Sequence, residues 1–377
     1  MHLYLHVPFC ARRCSYCDFA IAVRREVPSV RYVDRVLAEW DRWLVAGLPP
    51  AGSPLETIYL GGGTPSCLAP EQLARLLRRL QADRPLRPGA EVTLEANPED
   101  VTPEVAEAWV VAGVNRVSLG VQSFDPGVLA WMHRTHTAEQ VPAAVAALRG
   151  AGIPNLTLDL IYALPEELQR DWTADLDRAL ALEPDHLSLY GLTVESGTPL
   201  GRWVDRGTTV TPPEERYAAE FLLAHARLTG AGFRHYEVSN YARPGREAVH
   251  NAAYWRRAPY LGLGPSAHSA VGPRRWWNLR DWAAWDAALA DGISTIGGEE
   301  ALEPDSVRVE ELYLGLRTDA GLAAARLPAG LAARWRAEGW AEVEGSRVRL
   351  TAEGWLRLDA LVAQAAAIPH SGVTDLS

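Results

Sequence analysis

The sequence predicts an α/β protein: a partial, open (β/α)6 barrel of the TIM type, followed by a smaller α+β module with a winged-helix-like pattern. Three observations predict it. Up to about residue 195, short β-rich runs alternate with amphipathic helical stretches, as βα units of a parallel sheet do. Along those runs side chains alternate with period two, apolar on one face and polar on the other. After about residue 200 this alternation fades, and near the end a helix, hairpin and helix pattern takes over.

The strand candidates are LYLHVPF, ETIYLGGGTP, EVTLEANP, NRVSLGVQSF, NLTLDLIYALP and HLSLYGLTVE. Amphipathic segments around 30–46, 70–82, 103–112, 138–150 and 168–182 lie between them, several opened by a cap or a first-turn proline at Ser29, Thr102-Pro103 and Thr137. In the first run Leu3, Leu5 and Val7 oppose Tyr4 and His6. In the third, Val92, Leu94 and Ala96 oppose Thr93, Glu95 and Asn97; in the fifth, Leu156, Leu158 and Leu160 oppose Thr157, Asp159 and Ile161. Helices over the leucine face leave an inner surface too polar for the packed centre of a closed eight-stranded barrel, so the barrel is expected to stay open around a polar ligand. Beyond it, PPEERYAAEFLLAHARLTGAGF reads as a long helix with proline near its start and glycine after its end. LAARWRAEGW, AEVEGSRVRLT and AEGWLRLDALVAQ read as helix, hairpin turning at Glu344-Gly345-Ser346, and helix. The expected division is a barrel over 1–200, a linker or extension over 201–298, a winged-helix-like domain over 299–365 and a loose tail over 366–377.

Composition narrows the function classes. With 377 residues, 48% hydrophobic and 22% charged, the chain is an ordinary globular one, long enough for a large domain and a small one. A net charge of -10 and the lack of a long basic run argue against nucleic acid and anionic membrane as partners, although Arg256-Arg257 and Arg274-Arg275 suit an anionic small molecule. MHLYLHVPFC is not a signal peptide and no stretch is long and charge-free enough to span a bilayer, so a cytoplasmic location without stable membrane insertion is expected. Fourteen tryptophans, most after residue 108, suit a large flat ligand, though aromatics more often fill core.

CARRCSYCDF places Cys10, Cys14 and Cys17 within eight positions. That spacing is short enough for one metal centre. A zinc site asks for a fourth protein ligand nearby, whereas iron-sulfur clusters take about one thiolate per iron. Three thiolates on a 4Fe-4S cluster would leave one iron open to substrate or cofactor; a zinc knot or three buried thiols are the alternatives. In IYLGGGTP, residues Gly61, Gly62, Gly63 and Thr64 end the second strand, where glycines admit a ligand close to the backbone and its N–H donors, or simply make a tight loop. Glu95 falls at the carboxyl end of its strand, where barrel sites lie, and Gln122, Arg134 and Asp159 follow on the next units, unless each is only a solvated polar group.

The CxxxCxxC spacing, with Tyr16 before the last thiol, resembles the signature of radical S-adenosylmethionine (SAM) enzymes. That resemblance implies a cluster on Cys10, Cys14 and Cys17, an open iron that chelates SAM, an electron donor that reduces the cluster, and a 5'-deoxyadenosyl radical, with the hard chemistry residing in the cofactor. LYLHVPFCARRCSYCDFA, YLGGGTPS, LEANPE, NRVSLGVQSF, LTLDLIYALP, LSLYGLTVE and VHNAAYWRRAPYLGLGPSAHS, spread over about 2–360, further resemble the oxygen-independent coproporphyrinogen III oxidase family and, within it, the HemW-type haem chaperones. Carried over residue by residue, Tyr4, Gly62, Gly63, Thr64, Glu95, Gln122, Arg134 and Asp159 would contact SAM. The oxidases carry an N-terminal extension and a further cysteine two positions after the third; this chain has Asp18-Phe19 there, and HNAAYW at 250–255 matches the chaperones' HNxxYW motif. His250 is thereby expected to contact haem, with Tyr254 and Trp255 flanking the porphyrin, unless the motif is a polar turn before an aromatic core.

The implied function is to bind haem as cargo and deliver it to haem-dependent respiratory enzymes, with no catalytic residue assigned. Competing readings are the oxidative decarboxylation of coproporphyrinogen III and another radical SAM activity, such as methyl transfer or cyclopropane formation. Cys67 reads as a buried small thiol. His133, His136 and His268 are unassigned, and His6, sharing Tyr4's inward face, is the histidine expected to touch a ligand.

Overall fold

The computed structural model describes residues 1–367. Strands β1 (His2–Val7), β2 (Leu55–Gly62), β3 (Leu86–Ala96), β4 (Arg116–Gln122), β5 (Asn155–Tyr162) and β6 (His186–Gly191) stand side by side in chain order, all parallel. The crossovers between them carry α1 (Ser29–Val45), α2 (Pro70–Asp83), α3 (Pro103–Ala112), the pair α4 (Pro126–Trp131) and α5 (Gln140–Gly150), and α6 (Trp172–Ala181). Helix starts are fixed by side-chain caps: Thr102, Asp125 and Asp171 accept from the amides of Val105, Val128 and Ala174. Two expected caps behave otherwise. Ser29 is the first residue of α1 and its hydroxyl accepts from the Ala69 amide at the head of α2, while Thr137 donates its own amide to the Gln140 side chain.

Period-two alternation decides what faces where. Leu3, Leu5, Val7, Val92, Leu94, Leu156, Leu158 and Leu160 are completely buried on the helix-covered face, each stabilising the fold by roughly 1.5–3 kcal/mol relative to exposure. The opposite face keeps Glu95 and Asp159 for the interior of the barrel.

Past the barrel, the fading of the alternation has a structural cause: the chain turns to short antiparallel strands. After α7 (Pro199–Asp205) and the expected long helix, α8 (Glu214–Gly230), strands β7 (Arg234–Glu237) and β8 (Asn240–Ala242) extend the sheet beyond β6. On the other side, α9 (Val249–Trp255) leads into β9 (Tyr260–Leu263), parallel to β1, and then β10 (His268–Val271), β11 (Arg274–Asn278) and, beyond α10 (Trp282–Ala290), β12 (Ile296–Ala301). Among the described residues the result is one open sheet in the order β12-β11-β10-β9-β1-β2-β3-β4-β5-β6-β8-β7. Part of the stretch expected as linker or extension therefore supplies strands to both edges.

The last portion holds α11 (Pro304–Leu316), β13 (Leu322–Ala323), α12 (Leu331–Ala337), the hairpin β14 (Ala341–Glu344) and β15 (Arg347–Leu350), α13 (Ala352–Trp355) and α14 (Leu358–Ala367). The hairpin turns where the sequence places it, on Gly345 with φ +58°, a conformation glycine adopts without strain. Of the tail expected over 366–377, the first two residues close α14 and the rest, from 368 on, lies outside the described residues. Among the described residues no helix is long and apolar enough to cross a membrane.

Candidate functional site

The cysteine loop is anchored at both ends. Phe9–Cys10 pairs in parallel with Ala22–Val23, with the Ala22 amide donating to the Pro8 carbonyl (2.7 Å) and the Arg24 amide to that of Cys10 (2.9 Å). Its middle is held by Ser15, whose amide donates to the Met132 carbonyl (3.1 Å) and whose carbonyl accepts from the Leu200 amide (2.8 Å). Cys10, Cys14 and Cys17 are all unpaired and half-buried. The Thr64 hydroxyl reaches Cys10 Sγ (3.4 Å), and Arg134 Nη1 reaches Cys14 Sγ (3.5 Å). Burial raises the Cys10 thiol and pushes Cys17 to about 11, so these sulfurs become thiolates when a metal supplies the compensating charge. Among the described residues no three or more His, Cys, Asp or Glu side chains converge as ligands of a single ion. Cys67 instead faces the Phe9 carbonyl (3.9 Å), and burial pushes its thiol to about 12.

Beside the loop lies a cavity of about 420 Å³ at the carboxyl ends of the barrel strands. Its wall gathers the three cysteines with Gly62, Gly63, Thr64, Glu95, Gln122, Arg134 and Asp159. The glycines are required. Gly62 has φ +112°, and a Cβ there would lie 2.6 Å from the His6 ring; at Gly63 it would lie 2.7 Å from the Phe9 carbonyl and 3.0 Å from Cys10 Sγ. Glu95 accepts from the Tyr59 hydroxyl (2.8 Å) and the Gly62 amide (3.0 Å). Burial nevertheless pushes its carboxyl to about 7, those two bonds only tempering the rise. Asp159 is likewise raised by burial while the Ser118 hydroxyl bonds it at 3.0 Å. Arg134 donates through Nη2 to Asn97 (2.6 Å) and to the Gly120 carbonyl (2.9 Å), leaving its buried Nε without a partner among the described residues. Gln122, with φ +65° after a β-bulge, is in a conformation a non-glycine residue adopts at a cost.

Tyr4 is the expected SAM contact that does not line this cavity. It borders a second one of about 620 Å³, between β1, α9 and the β9–β10 hairpin, and its hydroxyl meets His6 Nδ1 (3.0 Å). The two cavities share Asp18, Phe19, Gly62 and Glu95 as a common partition. Tyr254 and Trp255 of the HNxxYW stretch line the second cavity.

His250 lines neither. It is fully buried, with Nδ1 on the Thr57 hydroxyl (2.6 Å), Nε2 on the Tyr254 hydroxyl (2.7 Å) and its amide on Glu91 (2.9 Å). Burial, then the charges of His2 and Arg116, push its imidazole down to about 3. Both ring nitrogens are thus bonded within the protein, one of them to Tyr254, and the structure leaves neither free for the expected contact. Sequence reasoning also passed over Tyr59, Ser118, Ser188 and Tyr190 on the first cavity's wall. Their signal was available, since each falls on the polar phase of the same strand alternation.

The radical SAM superfamily pattern matches residues 4–179. The chain is 41% identical over 373 residues to the heme chaperone HemW of Mycobacterium tuberculosis, a match spanning 96% of this chain and 93% of that protein. It is 38% identical over 334 residues to the heme chaperone HemW of Synechocystis sp., spanning 86% and 80%. The solved structure of coproporphyrinogen III oxidase (HemN) from Escherichia coli, a radical SAM enzyme, superposes with a TM-score of 0.82 at 22% identity over 97% of this chain and 89% of that one, which shows a common fold.

Proposed function

Because the chain belongs to the HemW family of radical SAM proteins, we propose that it is a haem chaperone, one that binds a 4Fe-4S cluster, SAM and haem and hands the haem to haem-dependent proteins. The observation that carries this reading is that the likeness to named heme chaperones runs through the whole chain, beyond the superfamily region, and so takes in the second cavity with its aromatic wall.

In this reading Cys10, Cys14 and Cys17 hold the cluster, which when bound supplies a reducing electron and one open iron. The residues around it fit such a group: a loop pinned at both ends, glycines where any Cβ would collide, and the Arg134 guanidinium set to offset thiolate charge at Cys14. Gly62, Gly63, Thr64, Glu95, Gln122, Arg134 and Asp159 would hold SAM. Tyr4 acts on that site from behind, by fixing the His6 ring against Gly62. The proposed division keeps the barrel at 1–200, the extension at 201–298 and the winged-helix-like domain at 299–365. Four unpaired cysteines suit a reducing compartment, so the cytoplasm is the proposed location. Partners are then an electron donor and respiratory haem enzymes as recipients.

The test is anaerobic reconstitution with iron and sulfide, then incubation with SAM, a reductant and either haem or coproporphyrinogen III. The chaperone reading expects stoichiometric haem retention, passage of haem to an apo-haem protein, and no protoporphyrinogen. Catalytic formation of protoporphyrinogen would replace it with the oxidase reading.

A further inference from the structure

The GPSAHS stretch after α9 has no role in the account so far. Its backbone is held with unusual care. A Cβ at Gly262 would lie 2.1 Å from the His268 carbonyl, and at Gly264, where φ is +98°, 2.5 Å from that of His6. The buried Glu39 carboxylate clamps the same loop, accepting from the Gly264 amide (2.8 Å), Asn278 (2.6 Å) and Thr295 (3.0 Å). What this rigid frame presents is His268, at the start of β10, on the wall of the 620 Å³ cavity. Its ring stacks on Trp277 of the paired strand, centroids 5.7 Å apart at 27°.

The histidines near this cavity differ in what they have left to offer. His6 is bonded at both nitrogens, to Tyr4 and to the Ala20 carbonyl (each 3.0 Å), and His250 is sealed within the protein. His268 is exposed, and among the described residues neither ring nitrogen has a hydrogen-bond partner. Partial burial, with the Arg275 cation next in effect, lowers its pKa, which favours the neutral ring and a free lone pair. The arginines sort in the same way. Arg257 and Arg275 both pair with Glu310 on α11, whereas Arg280 touches only the Asp18 carbonyl (2.9 Å) and has no carboxylate partner among the described residues.

We propose that this cavity is the haem seat, with His268 donating an imidazole nitrogen to the iron and Arg280 pairing with a propionate. The inference rests on the chaperone reading and gives it an address. The volume falls within the roughly 300–1,000 Å³ of small-molecule sites, the Tyr254, Trp255 and Tyr260 rings supply apolar wall for a porphyrin, and imidazole is a common haem ligand. Coordination exchanges an iron-bound water for the ring nitrogen, with no change of oxidation state. The HNxxYW motif then acts through Tyr254 and Trp255, with His250 as a positioning residue.

The test is a ferric haem titration of the full-length, cluster-reconstituted protein, read by affinity and by the resonance Raman bands that report iron ligation. Wild type should show an imidazole-ligated iron. His268→Ala should lose that ligand field and about tenfold in affinity, and free imidazole should restore the wild-type spectrum, which a misfolded variant would not allow. Arg280→Gln should weaken haem by about tenfold yet leave binding of haem dimethyl ester, which lacks propionate charge, unchanged. Haem bound by His268→Ala with wild-type ligation and affinity would overturn this assignment while leaving the chaperone reading intact. A wild type that binds no haem would overturn both.

Discussion

Removing the His250 ring would leave the Thr57 hydroxyl with His2 alone (2.9 Å) and take from the Tyr254 hydroxyl its bond to Nε2. His250→Ala is expected to lower unfolding free energy by about 1–3 kcal/mol, through two lost hydrogen bonds and the space the buried ring leaves, as measured by denaturant titration. Wild-type stability in that variant would contradict the positioning role. Glu39 makes a prediction of a different kind. Burial pushes its carboxyl from 4.5 to about 7, despite bonds from Gly264, Thr295 and Asn278. Between those two values the folded protein holds a proton that the unfolded chain has released, so stability from this group is full below the lower value and lost as pH rises through the upper one. The shift corresponds to about 3 kcal/mol. Melting temperatures should therefore fall more steeply between pH 5 and 7.5 in wild type than in Glu39→Gln; parallel curves would show that Glu39 is not the titrating group. At this scale the meeting of the cysteines, the glycines and Glu95 on one cavity wall was legible, from the spacing of the cysteine loop and from the polar phase and carboxyl ends of the strands. The fate of His250 was not, since a motif names a residue without saying whether its nitrogens face a ligand or the core.

Elements carry the close approaches. Gly63 lies at the end of the second barrel strand against the Phe9 carbonyl and the Cys10 sulfur, so Gly63→Ala must displace the loop that carries the cluster ligands. Iron and sulfide retained after anaerobic reconstitution should drop well below wild type, with far-UV circular dichroism unchanged; full retention would mean the loop has slack that the geometry denies. Barrel strands and helices were readable because period-two and period-3.6 patterns persist over five or more residues there. The strands added outside the barrel, such as Tyr260–Leu263 and His268–Val271, are only four residues long. So short a run shows no period of its own, and pairing with β1 and within the hairpin is what makes them strands. Ser29 and Thr137 do not cap as expected, because the Ser29 hydroxyl serves the Ala69 amide of the next helix and Thr137 offers its backbone amide, not its hydroxyl, to the Gln140 side chain.

At the scale of the molecule, one aromatic contact ties the C-terminal portion to the extended sheet. The Trp355 indole donates to the Leu316 carbonyl (3.0 Å) and packs edge-on against His235 of β7 (4.4 Å between ring centroids). Trp355→Ala is expected to cost about 3–5 kcal/mol, measured as a lowered or split thermal transition, and an unshifted single transition would contradict that coupling. The barrel with its polar interior was legible as a whole, because helices on the leucine face leave the other face to a ligand. The second cavity was not, because it forms between strands far apart in sequence, β1 and the β9–β10 hairpin. Its nearness to the first cavity matters only if the cysteine loop carries an incompletely ligated cluster. Electron paramagnetic resonance of the reduced, anaerobically reconstituted protein, with and without SAM, tests that most directly. A 4Fe-4S signal that SAM reshapes, and that is lost in Cys14→Ser but kept in Cys67→Ala, is the expected result. A signal indifferent to SAM, or a site that takes up only zinc, would contradict it.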